Sequence, residues 1–182
     1  MIVAWHPYDW RLLDVRAEVG DVRPGFARLA GLDQVLLRVQ ELAARTVIFD
    51  VEPLVADWDS GQEALDGGIA LVAGRVAAMP EAQVVCFATN SARRPSCLPT
   101  VGGARVVYVA SAGKPLRTSW YAGFPRPGVV VGDQIATDGI LARRLGYTFV
   151  QYRPPLGGIP AGPRLLKEVG RLVRPLAFKR PG

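Results

Sequence analysis

Short hydrophobic runs alternate along the chain with longer stretches whose apolar residues recur at a helical period. In residues 32–44, Leu32, Val35, Leu36, Val39, Leu42 and Ala43 share one face and predict a helix. Pro24 and Gly25 predict a turn before it, and residues 1–23 show no clear period and read as an irregular N-terminal extension. Five runs predict strands: 46–50, 84–90, 105–110, 128–133 and 147–152. Between them, residues 61–78 predict a helix in spite of Gly67, Gly68 and Gly74. Residues 113–123 predict a loop with a short helix. Residues 136–145 predict a helix with Gly146 as its stop. Beyond residue 153 a Pro/Gly-rich linker leads to a last helix, about 164–174, which Pro175 ends.

Strands that alternate with helices predict an α/β fold, a doubly wound and mostly parallel sheet of five strands covered on both faces. A chain of 182 residues suits one domain with a sizeable core. The expected organisation is an extension over 1–23, the α/β domain over 24–155, and a linker with a basic helix over 156–182. In such sheets the site lies at the carboxyl ends of the strands. Asp50, Thr89 with Asn90, and Asp133 each end a predicted strand, so three polar placements point to one sheet edge.

Composition narrows the chemistry. Lys and Arg exceed Asp and Glu by 22 to 16, and the net charge of +6 favours anionic partners such as phosphorylated metabolites, nucleic acid or anionic lipid. The aromatics are scattered and no nucleic-acid motif is visible, so a specific nucleic-acid partner is not expected. His6 is the one histidine, which disfavours a His-based zinc site and a Ser-His-Asp triad. Cys86 and Cys97 form neither a disulfide framework nor a metal spacing. The N-terminal stretch lacks the basic start and apolar core of a signal peptide, and no apolar run reaches the roughly 20 residues that span a bilayer. The expected location is the cytoplasm. The last predicted helix carries Arg164, Lys167, Arg171 and Arg174 beside an apolar stripe, and Lys179 and Arg180 follow it. That basic face is either a solvated flank or a contact with the anionic inner face of a membrane.

A carboxylate-type phosphoryl-transfer site needs a carboxylate nucleophile, a hard cation held by oxygen ligands, donors for the equatorial phosphate oxygens, and an acid for the leaving oxygen. The chain offers Asp50, Asp133 with Asp138, Lys114 with Thr89, and Glu52. Asp50-Val51-Glu52, the strand ending in Thr89, Lys114-Pro115, and "VVVGDQIATD" over 129–138 resemble, in order, the four motifs of the haloacid dehalogenase (HAD) superfamily. The closest branch resembles the small class IIIA phosphatases that act on phosphatidylglycerophosphate, where a Trp-Asp pair like Trp58-Asp59 follows the first motif. The resemblance covers roughly residues 24–155. It implies an HAD-like fold without a cap domain and a Mg²⁺-dependent phosphatase. It implies Asp50 as nucleophile and Glu52 as general acid. Thr89, Asn90 and Lys114 would contact phosphate, and Asp50, Asp133 and Asp138 would hold Mg²⁺. The implied substrate is a phosphomonoester, with a lipid phosphate such as phosphatidylglycerophosphate in view.

The first motif departs from the family. Glu52 stands where the family has a second Asp, Leu54 where it has Thr, and Pro53 removes a backbone N–H between them. Two functions therefore stay open: a phosphatase, and a catalytically silent HAD-fold protein that binds a partner or ligand. Two roles stay open as well. Glu52 is either the general acid or a solvated loop carboxylate, and Asp138 is either a metal ligand or an early-turn helix acid. The intervals between the motifs hold a helix or a loop and leave no room for a lid domain, which suits a large or surface-bound substrate.

Overall fold

The computed structural model of the protein describes residues 12–16, 24–153 and 169. It is an α/β fold of Rossmann-like, doubly wound character. The strands are β1 (Leu12–Arg16), β2 (Thr46–Asp50), β3 (Val84–Ala88), β4 (Arg105–Val109), β5 (Gly128–Gly132) and β6 (Thr148–Arg153). They form one sheet in the order β1-β6-β5-β2-β3-β4, and every pair is parallel. All five predicted strands are present. The expectation of five strands falls short by one, because Leu12–Arg16 pairs with β6 and adds an edge strand within the segment read as irregular. Five residues at an edge, with Asp14 and Arg16 among them, carry too weak an apolar signal to be seen.

The helices are α1 (Pro24–Glu41), α2 (Gln62–Ala77) and α3 (Ile140–Leu145). The predicted turn at Pro24-Gly25 is instead the first turn of α1, where the missing N–H of Pro costs nothing and its fixed φ suits a helix. The predicted helix over 136–145 begins with a π-type turn at Ile135–Gly139 that runs into α3. Gly146, at φ 69°, then stops it, and Tyr147 N–H returns to the Ala142 carbonyl at 2.9 Å. The loop over 113–123 contains the expected short helix as a single 3-10 turn, Ser119–Tyr121. The basic helix predicted for 164–174 lies, apart from helical Val169, outside the described residues.

Strand alternation sorts the core into two layers. Val47, Phe49, Val85, Phe87, Val129, Val131 and Val150 point to one face, where α1 and α2 cover them with Leu32, Val35, Val39, Leu65, Ile69 and Val76. Ile48, Val84, Cys86, Val130 and Phe149 point to the other, under α3 and the loop before β5, through Leu141, Tyr121 and Tyr147. The strands read as continuous apolar runs because both faces are buried.

The glycines of α2, which weaken it as a sequence, separate into two kinds. A Cβ on Gly67 would meet nothing within 4 Å, whereas one on Gly68 would collide with the Val55 carbonyl oxygen. The loop after β2 therefore lies on the bare backbone of α2. Gly67→Ala should stabilise the protein by about 0.5–1 kcal/mol through helix propensity. Gly68→Ala, one residue away, should destabilise it by about 1–3 kcal/mol through overpacking. Urea denaturation of the two variants tests this, and equal effects would contradict the packing of the loop on α2.

Candidate active site

The chain builds the sheet outward from β2 to β3 and β4, then returns to the other side of β2 for β5 and β6. The strand order reverses between β2 and β5, and the crevice at their carboxyl ends is the place where doubly wound sheets bind ligands. Asp50 is the last residue of β2, and Asp133 follows the last residue of β5. The topology thus brings together two residues far apart in sequence.

Asp138 arrives by a different device. The π-type turn carries it back over the end of β5, where Asp138 and Gly139 N–H groups both reach the Gln134 carbonyl, at 2.9 and 3.2 Å. Its Oδ2 accepts from Gln134 N–H at 3.3 Å. A Cβ at position 132 would collide with the Asp138 carboxyl group, so Gly132 is what lets this side chain lie on the strand. Carboxylate oxygens of Asp50, Asp133 and Asp138 lie within 4.8 Å of one another, one from each residue.

Lys114 reaches the same point from the far side of the sheet. Backbone pairing continues past β3 and β4, with Thr89 N–H to Val109 O at 3.0 Å, Ala112 N–H to Thr89 O at 2.9 Å and Ser111 N–H to Ser91 O at 2.7 Å. The chain then turns at Gly113, at φ 67°. The Asn90 amide grips the backbone of the next residue: Lys114 N–H donates to its Oδ1 at 2.8 Å and its Nδ2 donates to Lys114 O at 3.1 Å. The Lys114 ammonium has three N–H groups and three acceptors, Asp50 Oδ1 at 2.8 Å, Asp138 Oδ1 at 2.8 Å and Ala88 O at 3.1 Å. Lys114 and Asp138 are buried, and the Asp50 side chain keeps 11% of its surface exposed. That opening makes Asp50 the carboxylate a ligand can reach.

Burial works against the charge on Lys114, but Asp138 and Asp50 outweigh it and hold the ammonium firmly protonated. Asp50 is pushed the other way. Burial first, then Asp138 and Asp133, raise its pKa well above the usual carboxylate range, and Lys114 offsets only part of this. Lys114 contacts two of the three carboxylates, Asp50 and Asp138. An all-oxygen donor set fits a hard divalent cation such as Mg²⁺. Asp50, Asp133 and Asp138 are the residues that would hold it.

Glu52 lies just past β2, half-buried, and accepts a hydrogen bond from Thr89 Oγ1 at 2.9 Å. Thr89 also accepts from Ser91 N–H at 3.0 Å. Pro53 and Leu54 follow Glu52 in the turn. Both are buried, and Leu54 belongs to the core layer under α1 and α2. Val55 and Ala56 N–H close the turn on the Val51 carbonyl at 3.0 and 3.1 Å. Trp58 and Asp59 lie partly and fully exposed in the following loop.

The structure therefore gathers Asp50, Asp133, Asp138 and Lys114 into one cluster and links Glu52 to Thr89 beside it. The Asn90 amide holds the Lys114 backbone and so positions the lysine. Sequence reasoning missed Gln151, whose Nε2 donates to Asp133 O at 3.1 Å from the neighbouring strand. A glutamine inside the apolar run "YTFVQY" was the available signal. It also missed Tyr108, whose phenol donates to Arg93 O at 3.0 Å and is pushed up to about 12 by burial and by Glu52. A scan of protein-family models, a search of curated proteins and a search of solved structures each return no match to this chain.

The raised Asp50 pKa makes stability depend on pH. Between the unfolded carboxyl value of about 4 and the higher folded value, the folded state binds more protons than the unfolded state. Stability should therefore fall as pH rises through that window and level off above it. Mg²⁺ competes with the proton, so the rise in melting temperature at saturating Mg²⁺ should be larger at pH 8 than at pH 5. Thermal denaturation with and without Mg²⁺ at the two pH values checks both. A Mg²⁺ effect that is absent, or larger at acid pH, would exclude the cation from this cluster. Lys114→Met leaves the carboxylates without their cation and should cost about 3–5 kcal/mol in the absence of metal.

Proposed function

We propose that this protein is an HAD-type, Mg²⁺-dependent phosphohydrolase that cleaves phosphomonoesters through an aspartyl-phosphate on Asp50. The observation that carries the reading is the cluster of Asp50, Asp133 and Asp138 around the Lys114 ammonium at the switch point of a parallel sheet. The order of motifs along the chain supports it. Asp50 is the exposed member and so the nucleophile: its carboxylate oxygen bonds to phosphorus as the ester oxygen leaves. Glu52, half-buried beside Thr89, protonates that oxygen and in the second step accepts the proton of the water that releases inorganic phosphate. A bound Mg²⁺ would stabilise charge on the phosphoryl oxygens. Lys114 supplies the fixed positive charge on the other side of the nucleophile. The substrate class most consistent with an open site and a basic chain is a phosphate on a large or surface-bound molecule, a lipid phosphate such as phosphatidylglycerophosphate included. The proposed place of action is the cytoplasm, at the inner face of the membrane. Among the described residues no helix is long and apolar enough to cross a membrane.

A second reading rests on the first motif. Leu54 serves the core, Pro53 is buried beside it in sequence, and Glu52 is tied to Thr89, so the turn is built for stability as much as for phosphate. A silent HAD-fold binding protein would look the same at these positions.

Leaving-group chemistry separates the two. With p-nitrophenyl phosphate, whose leaving oxygen needs no proton, Glu52→Gln should keep the rapid first release of p-nitrophenol and slow only the later turnover, because the water step still needs its base. With an alkyl phosphate it should lose about 10²–10⁴-fold. Asp50→Asn should abolish both. A wild type no faster than Asp50→Asn on either substrate would leave the binding protein as the better account.

A further inference from the structure

The polypeptide between Glu81 and Glu168 contains only two acidic residues, Asp133 and Asp138, and both are buried in the site. Everything else charged in that stretch is cationic. Within it, the loop that carries Lys114 exposes two large apolar side chains, Leu116 at 75% and Trp120 at 51%. Neither exposure is a consequence of a loose loop. Leu116 and Arg117 N–H close a tight turn on the Gly113 carbonyl at 2.8 and 3.0 Å. Arg144 donates to the Pro115 and Leu116 carbonyls at 3.0 and 2.9 Å and ties the turn to α3. One residue after Trp120, Tyr121 is buried against Phe124 in the core, in an edge-on contact at 6.1 Å. The backbone thus anchors the loop from below and holds Leu116 and Trp120 outward. Exposed Arg117, Arg126 and Arg144 belong to the same surface. Thr118, Ser119, Arg126 and Arg144 also line a cleft of about 290 Å³ beside it.

An isolated exposed leucine needs no explanation. A leucine and a tryptophan fixed outward among arginines, on a stretch of chain whose two acidic residues are both buried, match the chemistry of an anionic bilayer: an interfacial aromatic, an apolar side chain, and cations at headgroup level. We propose that the loop from Lys114 to Phe124 is a docking surface for an anionic lipid bilayer. Leu116 and Trp120 enter the interface, and Arg117, Arg126 and Arg144 meet the headgroups. The loop leaves directly from Lys114, so docking would set the Asp50 crevice near the membrane surface. This deepens the lipid-phosphate reading above and rests on it for its purpose, though its test is independent of catalysis.

The test is co-sedimentation of the full chain with phosphatidylcholine vesicles, with and without phosphatidylglycerol, alongside Mg²⁺-dependent turnover of soluble p-nitrophenyl phosphate. Wild type should bind the anionic vesicles at low salt and not the neutral ones. Leu116→Ser/Trp120→Ser should bind at least about tenfold more weakly, and Arg117→Gln about fivefold more weakly. Both variants should keep the melting temperature and the p-nitrophenyl phosphate turnover of the wild type. Lipids brominated on their acyl chains should quench part of the tryptophan fluorescence, and Trp120→Phe should remove that part. Vesicle binding that is unchanged in Leu116→Ser/Trp120→Ser would overturn the proposal and assign any membrane contact to another basic segment. Binding without Trp120 quenching would overturn it in favour of a purely electrostatic polyanion surface. Loss of turnover in every protein, wild type included, would sink the phosphatase reading and leave this one standing on its vesicle data.

Discussion

Three carboxylates at one sheet edge repel one another, and a buried ammonium is held against two of them. Lys114 spends all three of its N–H groups on Asp50, Asp138 and the Ala88 carbonyl. Much of the local architecture serves that placement: the extension of β3–β4 pairing through residue 112, the left-handed turn at Gly113, and the Asn90 amide that holds the lysine backbone from both sides. Burial first, and then the charges of Asp138 and Asp133, hold the Asp50 pKa well above the usual carboxylate range. A buried ionic cluster of this kind adds little stability over a packed apolar substitute of similar volume.

Around this point the two core layers behave differently. The layer under α1 and α2 is closed, with side chains such as Leu54 from the loop after β2 drawn into it. Gly68 lets that loop sit directly on helix backbone. The opposite layer is covered by the six residues of α3 and, between β4 and β5, by a loop where a doubly wound sheet ordinarily places a helix. That loop must reach from Lys114 at the carboxyl end of the sheet to Pro127 at its other end. Tyr121 and Phe124 anchor it to the core and Arg144 ties its first turn to α3, which leaves Leu116 and Trp120 outside.

The carboxylate cluster and the exposed loop meet at the turn at Gly113, which sends Lys114 inward and Leu116 outward within three residues. A surface placed so close to the crevice makes a substrate already resident in a membrane a natural partner for Asp50.

The sequence by itself determined the α/β class, five of the six strands, the approximate extent of α2 and α3, and the carboxyl-end placement of Asp50, Thr89 and Asp133. Apolar periodicity and strand-end polarity are local signals, and buried parallel strands give them strongly. It did not show β1, whose edge position asks for little hydrophobicity, nor that α1 begins at Pro24. It did not show that Pro53 is buried or that Leu54 belongs to the core, because a residue next to a site in sequence is free to point away from it. Nor did it assign Asn90 and Gln151 as supports for Lys114 and Asp133, since each acts on backbone that only folding brings near. The tertiary structure alone decided that Lys114 is shared between Asp50 and Asp138. That depends on the reversal of strand order between β2 and β5, on the π-type turn after β5 and on a bare Gly132 beneath Asp138, and such long-range convergence leaves no periodic trace in the chain.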